Sequence, residues 1–207
     1  IAITVREGDE LLDAVMTNGQ SEILLAGRHG RCCRFDESDA RALGRTASGV
    51  RGINIDEDDE VIGMIAYDPT AEDAKAHSLL VVSEHGYGKR SDFDEYRKTS
   101  RGGKGVKTLN ITEKTGELVA MKNVTDENDL MIINRSGITI RMAVADIKVA
   151  AISTTNWVTG SGSAPWIIPP RPLAWVSLPA WSCGKMWVTV PTSRPRKSCI
   201  KAIRRNS

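Results

Sequence analysis

The sequence predicts an all-β protein built from repeated units, and two residues that recur in step carry this prediction. Segments 24–34, 80–90 and 131–141 align without gaps and share a glycine that is followed four positions later by an arginine. The pairs are Gly30 with Arg34, Gly86 with Arg90, and Gly137 with Arg141. Repeats of about 50 residues with four short strands each are typical of propeller blades.

The composition within each unit favours strands over helices. Short apolar runs are bounded by Gly, Asn, Asp or Ser and show little helical periodicity. The shared glycine follows two polar residues, which is typical of a hairpin turn that needs a positive φ. We also expect a short helical turn within 36–43 and a surface loop at 68–77, which contains Pro69.

The unit boundaries follow from a second marker. Each unit begins with a glutamate and an apolar strand, at Glu10, Glu60 and Glu117. We therefore divide 1–149 into unit 6–55, unit 56–111 and an incomplete unit 112–149. Val5 aligns with Ile55, so we expect the chain to begin within the last strand of a preceding unit.

Residues 150–207 form a tail of different composition. All five tryptophans and seven of the eight prolines lie in it, and no acidic residue follows Asp146. We expect a poorly ordered tail of the kind that a shifted reading frame produces. A basic, aromatic tail that binds single-stranded nucleic acid is the alternative.

The net charge of +2 hides an uneven distribution. Nine of the 28 basic residues follow Asp146, which leaves 19 basic against 26 acidic residues in the first 146 positions. Nucleic-acid binding would therefore require a local basic surface.

No apolar run approaches the roughly 18 residues that cross a bilayer, so no membrane contact is expected. The four cysteines lack the spacing of a zinc site or disulfide framework, which favours a reduced cytoplasmic protein.

Four motifs resemble one known family. They are Gly-Arg-Thr-Ala-Ser-Gly-Val at 44–50, the stretch 96–106 that contains Arg-Gly-Gly-Lys-Gly, Ile-Thr-Glu-Lys-Thr-Gly at 111–116, and 138–147. Over 1–149 the chain resembles the C-terminal domain of the DNA gyrase A subunit, which is related to that of topoisomerase IV. The resemblance implies a β-pinwheel, a propeller-like disc of four-stranded blades with basic residues on its rim. Residues 101–105 resemble a degenerate gyrase A box, because Thr99-Ser100 stands where the family has Gln and a basic residue.

The same resemblance implies contacts to double-stranded DNA. Cations supply charge to phosphates, and backbone N–H groups beside glycines can approach phosphates closely. The candidate DNA-binding residues are Arg45, Arg51, Arg101, Gly102, Gly103, Lys104, Gly105 and Lys107. The alternative for these residues is structural, with glycines serving turns and arginines serving ion pairs. For Arg34, Arg90 and Arg141 we expect structural pairs between units.

The sequence offers no catalytic residue and no metal site. We find no phosphate-binding loop and no nucleophile with a paired base, and the acidic run 56–60 is interpreted as a solvated turn. The three histidines are interpreted as isolated, solvated side chains. Tyr67, Tyr87 and Tyr96 lack the context of a strand-cleaving tyrosine, which the resemblance places in a preceding N-terminal region.

The resemblance also implies a holoenzyme. That enzyme would be an ATP-hydrolysing type II topoisomerase that introduces negative supercoils and is associated with the nucleoid in the cytoplasm. Its B subunit would bind ATP and Mg²⁺, and a second A subunit would complete it. Two alternatives stay open, namely a topoisomerase IV subunit that serves relaxation and decatenation, and a propeller scaffold that binds proteins and not DNA.

Overall fold

The computed structural model describes residues 9–43, 49–133 and 137–151, and the backbone of 198–204. The predicted all-β class is confirmed, since the described residues form strands and four short 3₁₀ turns. The strands are β1 (Glu10–Thr17), β2 (Glu22–Gly27), β3 (Arg31–Asp36), β4 (Val61–Tyr67), β5 (Ser78–Ser83), β6 (Gly88–Ser91), β7 (Val106–Lys107), β8 (Leu118–Val124), β9 (Asp129–Ile133), β10 (Thr139–Ala143) and β11 (Ser198–Arg204). The 3₁₀ turns are Glu37–Asp39, Ala74–Ala76, Phe93–Glu95 and Val144–Asp146. No helix in the described part of the chain is long and apolar enough to span a membrane.

The repeated glycine occupies the hairpin turn in all three units, as predicted. The φ angles of Gly30, Gly86 and Gly137 are 77°, 80° and 81°, a region that other residues rarely adopt. At Gly30 a Cβ would also lie 2.5 Å from the carbonyl oxygen of Leu109. The sequence therefore needs glycine here to join β2 to β3.

Strands are exchanged between neighbouring sequence units. The first strand of the second unit, β4, pairs with β2 of the first unit, and β8 pairs in the same way with β5. One sheet has the order β4-β2-β3-β7, another has the order β6-β5-β8, and β9 pairs with β10. Each complete sheet is therefore assembled from two sequence units, and the units 6–55, 56–111 and 112–149 do not coincide with the sheets.

Arg34 and Arg90 join one unit to the next, which confirms the predicted pairs between units for these two residues, whereas Arg141 contacts Asp129 within its own unit. Arg34 Nε contacts Glu22 Oε2 at 2.5 Å, and its Nη1 donates to the carbonyl oxygens of Phe93 and Tyr96 in the next unit. Arg90 repeats this geometry, because its Nη1 donates to the carbonyl oxygens of Val144 and Ile147.

The core lies between the sheets and is continuous across units. Leu24, Leu79 and Leu118, from three different strands, are completely buried in one cluster. Tyr67 stacks on Phe93 with ring centroids 4.0 Å apart, and the Tyr96 hydroxyl is hydrogen-bonded to Thr108. Burial of these side chains pins the 3₁₀ turn Phe93–Glu95 and, with it, the loop that follows.

Two secondary expectations can be compared with the structure. The predicted helical turn within 36–43 is the 3₁₀ turn Glu37–Asp39, capped by the Asp36 side chain. The predicted loop 68–77 contains a second 3₁₀ turn, Ala74–Ala76, of which Ala74 is buried.

The tail departs from its expected disorder at seven residues. Strand β11 pairs antiparallel with β1, from Glu10 opposite Arg204 to Thr17 opposite Ser198. The physical reason is that an unpaired strand edge presents free N–H and C=O groups, and β11 satisfies these groups along β1. Residues 152–197 and 205–207 lie outside the described residues.

Candidate nucleic-acid interface

The glycine-rich loop 101–105 lies against the end of the first unit. Thr99 N–H donates to the Arg34 carbonyl oxygen at 2.8 Å as the chain enters the loop. Gly102 N–H then donates to the Gly52 oxygen at 2.8 Å, and Asn54 N–H donates to the Gly103 oxygen at 2.9 Å. The loop is thus held by backbone hydrogen bonds on both sides, and its position is fixed before any ligand binds.

The three glycines of this loop do not serve the same purpose. Gly102 and Gly105 have φ angles of 81° and 71°, and a Cβ on Gly105 would lie 2.4 Å from the Cys32 carbonyl oxygen. At Gly103 the nearest atom to an added Cβ is the Ser100 oxygen at 3.5 Å, an ordinary contact. The structural alternative therefore accounts for Gly102 and Gly105, whereas backbone geometry does not require glycine at Gly103.

Arg101 is anchored by neutral acceptors. Its Nε donates to the Asp39 carbonyl oxygen at 3.0 Å, and its Nη1 donates to the Arg51 carbonyl oxygen at 2.6 Å. Carbonyl oxygens orient the guanidinium but carry no formal charge. The positive charge of Arg101 is therefore held in place without a counter-charge from these bonds.

Lys104 in this loop is exposed, as are Lys107 and Arg51 beside it, and the structure adds a residue that the sequence did not suggest. Lys107 in β7 lies directly opposite Arg31 in β3, and Arg31 is also exposed. Side chains of directly opposite residues share one face of a sheet, where like charges are destabilising. The only signal in the sequence is that Arg31 follows the hairpin glycine, and nothing there pairs it with Lys107.

We call Arg31, Arg51, Arg101, Lys104 and Lys107 the cationic group. Within residues 9–43, 49–133 and 137–151, no carboxylate lies within 4.0 Å of a charged nitrogen of these five side chains. Arg45, the remaining candidate, lies outside the described residues.

Two nearby basic residues, Lys98 and Arg28, differ from the cationic group because each lies close to carboxylates. Lys98 Nζ lies 2.8 Å from Asp36 Oδ2 and 3.1 Å from Glu22 Oε1, so its charge is neutralised. Hydrogen bonds from Lys98 and then Ser38 lower the pKa of Asp36 to about 2. Arg28 likewise lies 3.5 Å from Glu60 and 3.2 Å from Glu117. Lys98 and Arg28 therefore differ from the cationic group in that carboxylates pair with their charges.

Asp59 of the acidic run 56–60 is not the solvated side chain that the sequence predicted, and two of the histidines are not isolated. Asp59 is buried, and its Oδ1 accepts hydrogen bonds from the backbone N–H groups of His29 and Glu60 at 3.0 and 2.8 Å. Burial follows because this carboxylate caps the hairpin of the first unit. His77 is similarly fixed, with Nδ1 2.9 Å from Asn123 Oδ1, and His85 Nδ1 lies 3.1 Å from the Lys114 carbonyl oxygen. No group of three potential metal ligands occurs among the described residues.

Strand exchange between units, the repeated arginine and the cationic loop together describe a propeller-type domain, and one family of such domains matches the chain. The family described as the DNA gyrase C-terminal domain, beta-propeller, matches residues 21–68, 77–125 and 128–151. The chain belongs to this family.

The relatives extend this assignment. The DNA gyrase A subunit of Staphylococcus aureus strain MRSA252 is 48% identical over 148 residues, which cover 72% of this chain and 16% of that protein. Strain NCTC 8325 has a relative with the same values. The chain therefore spans about one sixth of the length of the curated relatives that it matches.

Two solved structures share the fold. The C-terminal domain of DNA topoisomerase IV matches with a TM-score of 0.66 and 24% identity, covering 72% of this chain and 45% of that one. The DNA gyrase A C-terminal domain matches with a TM-score of 0.56 and 21% identity, covering 64% and 43%.

Proposed function

We propose that this chain binds and wraps double-stranded DNA as part of the A subunit of a bacterial DNA gyrase. The observation that carries the proposal is the cationic group, five basic residues that lie in or next to a backbone-anchored, glycine-rich loop and have no carboxylate partner among the described residues. Such a surface suits phosphates, which attract cations without regard to base sequence. The identity to the gyrase A subunit favours gyrase over other proteins of this fold.

The proposed mechanism is electrostatic. Arg101 is oriented by two carbonyl oxygens, so little side-chain entropy is lost when a phosphate binds to the remaining donors of its guanidinium. Arg31 and Lys107 repel each other in the free protein, and a phosphate between them would relieve this repulsion. Each contact is modest, and a bent duplex is held by the sum of many of them.

The wider assembly belongs to the same proposal. The chain would act without its own catalytic tyrosine, metal or cofactor, in a cytoplasmic enzyme associated with the nucleoid. A gyrase B subunit would supply ATP hydrolysis with Mg²⁺, and a second A subunit would complete the type II topoisomerase.

Duplex affinity measured over a range of salt concentrations tests the phosphate contacts. Lys104→Ala with Lys107→Ala removes two charges and should lower the slope of log Kd against log salt by about two. The loss should be the same for unrelated sequences. Lys98→Ala is the matched control, because Asp36 and Glu22 already neutralise that lysine. Duplex affinity that does not respond to salt contradicts the proposal, and an absence of binding favours the protein-binding scaffold.

Wrapping itself requires a topological measurement. A nicked plasmid that is ligated with the protein bound and then deproteinised should keep a linking-number change that grows with protein concentration. An unchanged linking number despite tight binding would exclude wrapping.

A topoisomerase IV subunit is the second candidate, because its C-terminal domain shares the fold with a TM-score of 0.66. A holoenzyme that contains this chain separates the two candidates. Negative supercoiling of relaxed plasmid in the presence of ATP supports gyrase, whereas relaxation and decatenation alone support topoisomerase IV.

A further inference from the structure

A cavity of about 320 Å³ lies at the junction between the second and third units, against the buried guanidinium of Arg90. Sites for small ligands occupy roughly 300–1,000 Å³, so this cavity is at the lower end of that range. Its described lining is rich in titratable side chains, of which Arg90 is the most buried. The others are Lys75, His77, Asp92, Asp126 and Lys148.

Side chains cover the corresponding arginine at the first junction. The Glu22 carboxylate lies 2.5 Å from Arg34 Nε and 3.1 Å from Lys98 Nζ. Tyr67 is the strand partner of Glu22, and its ring centroid lies 5.8 Å from Arg34 Cζ. A fixed carboxylate and an aromatic ring therefore pack against the Arg34 guanidinium.

Smaller, uncharged residues take these positions at the second junction. The strand register places Ser78 at the position of Glu22 and Val124 at that of Tyr67. The residue that bridges to the arginine, a lysine at the first junction, is Val149 at the second. Ser78 and Val149 line the cavity, which therefore lies where the first junction has its buried carboxylate and the lysine that pairs with it.

The guanidinium of Arg90 is anchored mainly through two of its three nitrogens. Nε donates to Ser78 Oγ at 2.6 Å, and Nη1 donates to the Val144 carbonyl oxygen at 3.2 Å. Asp126 Oδ1 also lies 2.7 Å from Nη1, but this aspartate side chain is 73% exposed. Within the part of the chain that the structure describes, no atom accepts a hydrogen bond from Nη2. The Nη2 donors are therefore available to an anion in the cavity.

Two lysines, Lys75 and Lys148, add positive charge to the cavity. Lys75 is exposed in a 3₁₀ turn that is anchored by a buried alanine. With Arg90 the lysines supply three positive charges against the carboxylates of Asp92 and Asp126, both of which are exposed to solvent. Solvent screens exposed carboxylates more strongly than a buried guanidinium, so the cavity favours an anion.

We propose that this cavity binds a phosphate group, whose oxygens take the place that the Glu22 carboxylate has at the first junction. Arg90 Nη2 donates to a phosphate oxygen, since the planar guanidinium matches phosphate geometry. Lys75 and Lys148 contact the remaining oxygens. Three basic side chains suit a phosphate better than a carboxylate, because a phosphate carries more charge and more acceptor oxygens.

Residue-resolved NMR titration of the full chain with inorganic phosphate tests the proposal. The backbone amide signals of 75–78 report on the cavity, whereas those of 102–105 report on the glycine-rich loop, where phosphate is also expected to bind. We expect saturable shifts at 75–78. Ser78→Glu should abolish them, because the new carboxylate would pair with Arg90 in place of the phosphate.

Two surface variants keep the test independent of changes in the buried junction. Lys75→Ala should weaken phosphate binding by about two- to fivefold, and Asp126→Asn, which removes a competing carboxylate, should strengthen it by a similar factor. The matched control is Lys114→Ala, which changes an exposed lysine outside the cavity lining and should leave the affinity unchanged. The absence of saturable shifts at 75–78 in both the wild type and Asp126→Asn overturns the proposal. Shifts that survive Ser78→Glu, or that weaken equally in the two lysine variants, also overturn it.

Duplex titration identifies the source of the phosphate, which is either a small phosphorylated molecule or the DNA backbone. Ser78→Glu is compared with Val119→Glu, which adds the same charge at a 51% exposed position outside the cavity lining. A larger loss of duplex affinity in Ser78→Glu assigns the cavity to the DNA backbone, and equal affinities assign it to a small phosphorylated molecule. Only the DNA source rests on the proposed function. The phosphate titration needs no DNA, so a failure of duplex binding would leave its result intact.

Discussion

Arg34 and Tyr96 connect neighbouring sequence units through a hydrogen bond of 3.1 Å, from a buried guanidinium to a backbone carbonyl oxygen. The same guanidinium contacts Glu22 within its own unit. Charge-assisted bonds to fixed backbone groups are directional, so this contact sets the distance between one sheet and the next. Strand exchange then covers the apolar surface on either side of it.

We expect Arg34→Ala to lower the free energy of unfolding by about 3–5 kcal/mol, because it leaves the Glu22 carboxylate and two carbonyl oxygens buried without this partner. Lys98, which also contacts Glu22, keeps the loss near the lower end of this range. Urea denaturation of a monomeric sample measures the change. Arg141→Ala is the matched control at the same repeat position, and its exposed side chain should leave stability nearly unchanged. Equal losses in the two variants would contradict the inter-unit role of Arg34.

Local patterns predicted the fold and the recurring arginine, whereas the partners that residues find in neighbouring units could not be read from the sequence. Gly30 and Arg34 recur at fixed spacing, and spacing is visible along a single chain. The pairing of β3 with β7 joins residues from different units, so neither the Arg31–Lys107 pair nor the Gly105–Cys32 contact has a local signal. The burial of Asp59 also lacks a local signal, because the hairpin that this side chain caps belongs to the preceding unit.

Gly105→Ala tests the packing of the glycine-rich loop. The added Cβ would meet the Cys32 carbonyl oxygen, and alanine disfavours the left-handed conformation by about 1–2 kcal/mol even without a clash. We expect a loss of at least this size in urea denaturation, together with weaker duplex binding as Lys104 is displaced. Gly103→Ala, which meets no close atom, should change neither quantity appreciably. Similar losses in both variants would show that the Cys32 contact does not decide the effect.

The Asp36–Lys98 pair predicts a stability difference that depends on pH. Hydrogen bonds from Lys98 and then Ser38 lower the pKa of Asp36 from 3.8 to about 2, so the folded state favours the ionised carboxylate. The contribution is complete above pH 4 and is lost as the pH falls towards 2. We expect Asp36→Asn to be less stable than the wild type at pH 7, with a difference that shrinks between pH 4 and 2. In a Lys98→Met background this difference should be smaller, because only the Ser38 hydrogen bonds remain, and an undiminished difference there would assign the stabilisation to Ser38 alone.

Arg31→Glu separates binding from folding, because the two properties should change in opposite directions. A glutamate at this position places an opposite charge across from Lys107 and should raise the free energy of unfolding by about 0.2–1 kcal/mol. The same change removes one cation from the proposed DNA surface and adds an anion, so duplex affinity should fall most at low salt. Thermal denaturation and duplex titration of the same sample measure both effects. A variant that loses stability as well as affinity would indicate a structural role for Arg31, whereas increased stability with reduced affinity would place it in the DNA-binding surface.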